Sequence, residues 1–119
     1  MGCDILHEMS LMSGVFEAIE NALANYSVKK VAIVKLKVGR LTNAEPDALQ
    51  MAFAAFAKNT ICEGAELKIE LVPVKGKCRN CKGEFQVENW NFTCPLCEHL
   101  SVEIIEGEEL FLESLEVEE

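Results

Sequence analysis

The chain is poor in the residues that most catalytic and membrane-embedded proteins depend on. It holds two histidines, one tryptophan, one tyrosine and three prolines in 119 residues. No window approaches the roughly 20 consecutive apolar residues of a membrane span, and the N-terminus lacks the basic region and apolar run of a secretory signal. The opening "MGC" does not complete a myristoylation pattern, because Leu6 stands where Ser or Thr is needed. A cytoplasmic location without membrane attachment is expected. No glycine-rich phosphate-binding loop occurs, so nucleotide hydrolysis through such a loop is not expected, and the chain reads as a non-enzyme. Basic residues are missing from the last stretch: Ser101 to Glu119 carries eight glutamates and no Lys or Arg, leaving 11 bases against 12 acids in the first 100 residues. The net charge of −9 is thus a C-terminal property, and without a basic stripe it argues against nucleic acid as a partner.

Half of the residues are hydrophobic, enough for the core of one modest domain with a small satellite. Met12, Val15, Phe16, Ile19, Leu23 and Tyr26 recur at three- and four-residue steps and predict an amphipathic helix over Ser10 to Asn25. "KKVAIVKLKVGRL" alternates, with Ala32, Val34, Leu36 and Val38 on one face and Val31, Ile33, Lys35 and Lys37 on the other, as a half-buried strand does. "TNAEPDALQMAFAAFAKN" has Pro46 in its first turn and Leu49, Phe53 and Phe56 spaced for the buried face of a second helix. "ELKIELVPV" alternates Leu67, Ile69 and Leu71 against charges, with Pro73 marking a bulge or an edge. In the acidic segment Phe111, Leu115 and Val117 suggest a further strand with frayed final residues.

The strongest chemical signal is "CRNCKGEFQVENWNFTCPLC". Two residues separate Cys78 from Cys81 and Cys94 from Cys97, and twelve lie between the pairs. Each pair can present two thiolates from a tight knuckle, and two knuckles complete a tetrahedral zinc site. Disulfides are the competing reading, disfavoured in a reducing compartment. Four thiolates leave zinc no open position, so the site should organise a fold rather than catalyse. With Zn–S bonds of about 2.3 Å, the first and last sulfurs must lie within about 4 Å, which makes the chain before Cys78 and the chain after Cys97 neighbours. On that ground "ELKIELVPV" and the acidic strand are expected to pair antiparallel, with the zinc module projecting between them. Lys35 and Lys37 are expected to face the sheet's glutamates. Cys62 reads as a small buried apolar residue and Cys3 as incidental.

Beyond the cysteines, "HEMSLM" from His7, "VGRLTNAEPDALQMAF", "EGAELKIE" and "GEELFLESLEVE" together resemble the HypA/HybF hydrogenase nickel-incorporation proteins over nearly the whole chain. The resemblance implies a metallochaperone that takes Ni(II) as cargo through its N-terminal histidine and carries a structural zinc. It further implies work with a HypB-type GTPase to supply the large subunit of [NiFe] hydrogenase. The fold expected is α+β: a nickel-binding helix-and-sheet domain from residues 1–75 and 101–119, with a zinc-ribbon-like module at residues 76–100. An oligomer is compatible with all of this.

Imidazole suits Ni(II), and a histidine beside deprotonatable backbone nitrogens offers the square-planar set that Ni(II) accepts, whereas zinc prefers tetrahedral thiolates. His7 is therefore the first nickel candidate, with Glu8 and His99 as further ones. In the family Met-His-Glu opens the chain, but here Met1 to Leu6 precede His7 and the terminal amine does not adjoin it. Either Leu6 marks the true start, or Cys3 adds a thiolate to a different ligand set. Two other readings stand beside the metallochaperone: a zinc-ribbon nucleic-acid module and a rubredoxin-like electron carrier with iron in the cysteine cage.

Overall fold

In the computed structural model residues 5–119 are described. Cys3 lies outside them. The order is helix α1 (Ile5–Leu23), strand β1 (Lys30–Gly39), a 3-10 turn (Arg40–Thr42), helix α2 (Pro46–Ala57), then strands β2 (Glu66–Val72), β3 (Lys75–Cys78), β4 (Glu84–Gln86), β5 (Val102–Glu106) and β6 (Leu110–Glu118). The strands form two three-stranded sheets, ordered β2-β1-β6 and β4-β3-β5.

The chain divides into two compact units. One comprises the described residues through Lys37, Ala44–Glu70 and Leu110–Glu119; the other comprises Val38–Asn43 and Leu71–Glu109. The second is wider than the cysteine stretch alone, because β3 and β5 extend the knuckles into a sheet.

In the first unit the apolar stripe of α1 meets α2 and the sheet. Met12, Val15 and Ile19 are buried, as are Leu49, Ala52, Phe53 and Ala57 of α2. Phe16 packs its ring against Phe53 and Phe56, each at 5.5 Å between centroids. Tyr26 departs from the expected stripe: α1 stops at Leu23, the Tyr26 N–H returns to the Leu23 carbonyl at 3.0 Å, and the ring is 65% exposed. The helix also starts earlier than Ser10. The same stripe, extended one turn back from Met12, lands on Glu8, and that residue is buried.

β1 is the central strand of its sheet because it is apolar toward the core along its length: Val34, Leu36 and Val38 are fully buried. Val31, expected on the opposite face, is buried too, so the two-residue alternation slips once between Val31 and Val34. β6 slips as well. Leu110, Leu112 and Leu115 are the half-buried residues, while Phe111 and Val117 are exposed, and the strand continues to Glu118 rather than fraying. The Gly39 N–H bonds the Glu109 carbonyl and the Lys29 N–H bonds the Glu118 carbonyl, both at 2.9 Å, which runs β6 antiparallel to β1.

β2 and β6 thus share a sheet, but they do not pair as expected; β1 lies between them. The neighbourhood that the cysteine geometry demands is met by other strands. β3 and β5 pair antiparallel, with Cys78 opposite Val102. Pro73 follows directly on β2, which is an edge strand. Gly107 (φ 89) turns the chain between β5 and β6, and a Cβ on Gly39 would collide with the Gly107 carbonyl, so glycine is required where these backbones cross.

Candidate metal centres

Two nearly identical knuckles build the cysteine site. In the first, the Cys78 N–H bonds the Gly83 carbonyl at 2.9 Å and the Lys82 N–H bonds the Cys78 carbonyl at 2.9 Å. In the second, the Cys94 N–H bonds the His99 carbonyl at 2.9 Å and the Glu98 N–H bonds the Cys94 carbonyl at 2.8 Å. Each turn closes through a left-handed residue, Lys82 (φ 66) and Glu98 (φ 65). Two-residue spacing is what allows this turn to aim both thiols of a pair to one side.

The sulfurs converge. Sγ of Cys78 lies 3.5 Å from Sγ of Cys97, and Sγ of Cys81 lies 3.7 Å from that of Cys94. All four fall within 4.8 Å of one another. A tetrahedron of Zn–S bonds would separate its sulfurs by about 3.8 Å, so the residues fit zinc. Cys78 and Cys94 are fully buried, Cys97 half-buried and Cys81 exposed.

Donors surround the thiols. The His99 N–H, with help from the Asn80 amide 3.6 Å away, pulls the Cys97 thiol down to about 6. The Gly83 N–H acts the same way on Cys81, but desolvation and shared hydrogen bonds with Cys94, Cys97 and Cys78 push that thiol up to about 11. The Leu96 N–H reaches Sγ of Cys94 at 3.4 Å. One sulfur is thus ready to be a thiolate, while a divalent cation must displace the protons of the others. The sequence reading missed these backbone and amide donors, although Asn80 stands inside the first pair.

The nickel candidates are placed differently. His7 lies in the first turn of α1 and is exposed. Glu8 is only 5% exposed, and its Oε2 accepts from the Glu45 N–H at 2.9 Å. Glu45 is itself the N-cap of α2: its Oε1 accepts from the Ala48 N–H at 3.1 Å, and Pro46 occupies the first turn. Glu8 therefore ties the start of α1 to the start of α2, where a carboxylate also meets the positive end of the helix dipole. His99 belongs to the second unit, with both its backbone groups engaged by the knuckle and its side chain exposed. Among the described residues the four cysteines form the only cluster of three or more metal-ligating side chains. Cys62 is buried, as expected, and burial pushes its thiol up.

Comparison with known proteins adds to this geometry. The family model for hydrogenase/urease nickel incorporation, metallochaperone, hypA, matches residues 6–117. A hydrogenase maturation factor HypA from Desulfitobacterium hafniense (strain DSM 10664 / DCB-2) is 69% identical over 114 residues, covering 96% of this chain and 100% of its own. Its counterpart from Aquifex aeolicus (strain VF5) is 38% identical over 113 residues, covering 95% of this chain and 98% of its own. The solution structure of the Ni metallochaperone HypA from Helicobacter pylori superposes with a TM-score of 0.71 at 25% identity, over 92% of this chain and 96% of that one.

Proposed function

Because the chain belongs to the HypA family of nickel-incorporation metallochaperones of hydrogenase maturation, we propose that it receives Ni(II) at His7 and holds zinc at Cys78, Cys81, Cys94 and Cys97. The first unit handles cargo; the second is built around the zinc. The observation that carries this division is the contrast between the sites: four convergent sulfurs within 4.8 Å on one side, one exposed imidazole on the other.

A closed thiolate cage retains its metal, whereas a surface histidine with a small ligand set can release it. Glu8 acts here chiefly as a strut, since its carboxylate is already engaged by the Glu45 N–H; in its other role it adds an oxygen to nickel when that bond opens. His99, exposed beside the cage, is a secondary nickel candidate. The nickel is passed to the large subunit of [NiFe] hydrogenase with the help of a HypB-type GTPase, in the cytoplasm. No helix among the described residues is long and apolar enough to cross a membrane.

The test is a cell that depends on this chain for hydrogenase activity. His7→Ala should abolish maturation, and excess nickel should restore part of it. The purified protein should not turn over GTP alone, and a tagged chain should recover the GTPase and the large subunit from lysate. Full hydrogenase activity in the His7→Ala strain would overturn the assignment.

A further inference from the structure

Among the described residues β6 ends its sheet, with no strand beyond it in the order β2-β1-β6. It is nine residues long, contains no proline, and runs Leu110–Glu118. Glu109 turns its carbonyl to β1, so in the strand's first half the backbone groups of Leu110 and Leu112 point the other way, toward the open edge. Natural sheets blunt such edges with charge, often lysine, or with proline. This one carries charge of one sign only, and it is acid. Its exposed face presents Glu113, Glu116 and Glu118 beside Phe111, which is 51% exposed. Of these, among the described residues, only Glu116 has a cationic partner, Lys35 at 3.7 Å.

The opposite edge differs on both counts. β2 mixes Glu66, Lys68 and Glu70, and the Gln50 side-chain amide from α2 already bonds the Leu67 carbonyl at 2.9 Å. Acid on β6 disfavours pairing with the β6 of a second copy, because like charges on adjacent strands repel. It favours a strand of the opposite sign.

We propose that β6 is a docking edge for an extended, lysine- or arginine-bearing segment of a partner protein, which adds as a fourth strand and sets its cations against Glu113 and Glu118. Main-chain hydrogen bonds supply the register and the glutamates select the partner. The proposal does not depend on which residue holds nickel.

The probe is the capped peptide Lys-Val-Lys-Val-Lys-Val-Lys, titrated at low ionic strength into the full zinc-loaded chain and followed by backbone amide shifts and hydrogen exchange. Expected are shifts confined to β6 and its β1 neighbours, slowed exchange at the Leu110 and Leu112 amides, and weakening as salt screens the pairs. Replacing every valine of the peptide by proline keeps the charge but removes those donors, and should abolish binding. Glu113→Lys with Glu118→Lys should weaken binding about tenfold or more. Glu17→Lys with Glu20→Lys, an equal charge change on α1 rather than on the strand, should weaken it clearly less, because only the strand's own glutamates stand opposite the added cations. No binding of the valine peptide, equal binding of the proline peptide, equal losses from the two charge variants, or shifts centred elsewhere would each overturn the proposal.

Discussion

Cys94 is fully buried, and its N–H, carbonyl and sulfur are all engaged within one knuckle; His7 sits exposed in the first turn of α1. Under the proposed assignment of zinc to the cysteines and nickel to His7, the two regions differ in how much of the local chain is committed to a metal. Around the cysteines, backbone turns, amide donors and a three-stranded sheet all serve to converge four sulfurs. At the N-terminus the buried neighbour Glu8 does the structural work and leaves His7 at the surface. What holds a metal permanently is a fold built around it; what hands a metal on is a ligand that a fold merely displays.

Removing the cage should produce the largest effect. Cys78→Ser or Cys94→Ser, or extraction of the metal by a strong chelator, removes metal-binding energy on the order of 10 kcal/mol. Residues 76–100 should lose dispersed amide signals while α1 and α2 stay helical. Normal zinc content by elemental analysis in either variant would contradict the assignment. The other unit has no cysteine cage among its described residues, so its weak point is its core. Leu36→Ala, a truncation at a fully buried site of the central strand, should cost about 2–5 kcal/mol in urea unfolding while leaving the zinc stoichiometry intact.

That second contrast shows what could be read from sequence. The cysteine spacing demanded neighbouring strands, and it was right about neighbourhood but wrong about identity. β3 is hidden in the sequence because "KGKC" is too short and too polar to show a strand period, so the cysteine geometry alone points to β2 as the partner. The helices are legible from their apolar stripes, yet the stripe marks the start of α1 only at Ser10, because Glu8 counts as polar in any periodicity. A buried carboxylate on the stripe is visible only once its partner, the Glu45 N–H from 37 residues away, is in place. The β6 pattern misled for a similar reason, since the alternation slips between Leu112 and Leu115 and no regular period fits the whole strand.

Glu8 gives a sharper and smaller test of the first unit. Glu8→Ala leaves the Glu45 N–H of a part-buried, charged hydrogen bond without its acceptor and should destabilise by about 1–2 kcal/mol, with Glu8→Gln recovering part because its amide oxygen can still accept. Equal stability of Glu8→Ala and the parent chain would remove the strut. Smallest of all is Lys35→Ala. The Lys35–Glu116 pair is 3.7 Å long and largely solvated, so thermal unfolding should register no more than a few tenths of a kcal/mol.

The comparison is tested most directly by titrating Ni(II), near neutral pH, into three zinc-loaded proteins: the full chain, His7→Ala, and a chain trimmed to begin with Met in place of Leu6. Absorption in the square-planar d–d region and elemental zinc are read together. His7→Ala should bind no nickel and keep its zinc. The trimmed chain should show a different nickel spectrum, since the amine then adjoins the histidine. Unchanged nickel stoichiometry in His7→Ala would move the cargo site away from the N-terminus and contradict the division of labour between the two regions.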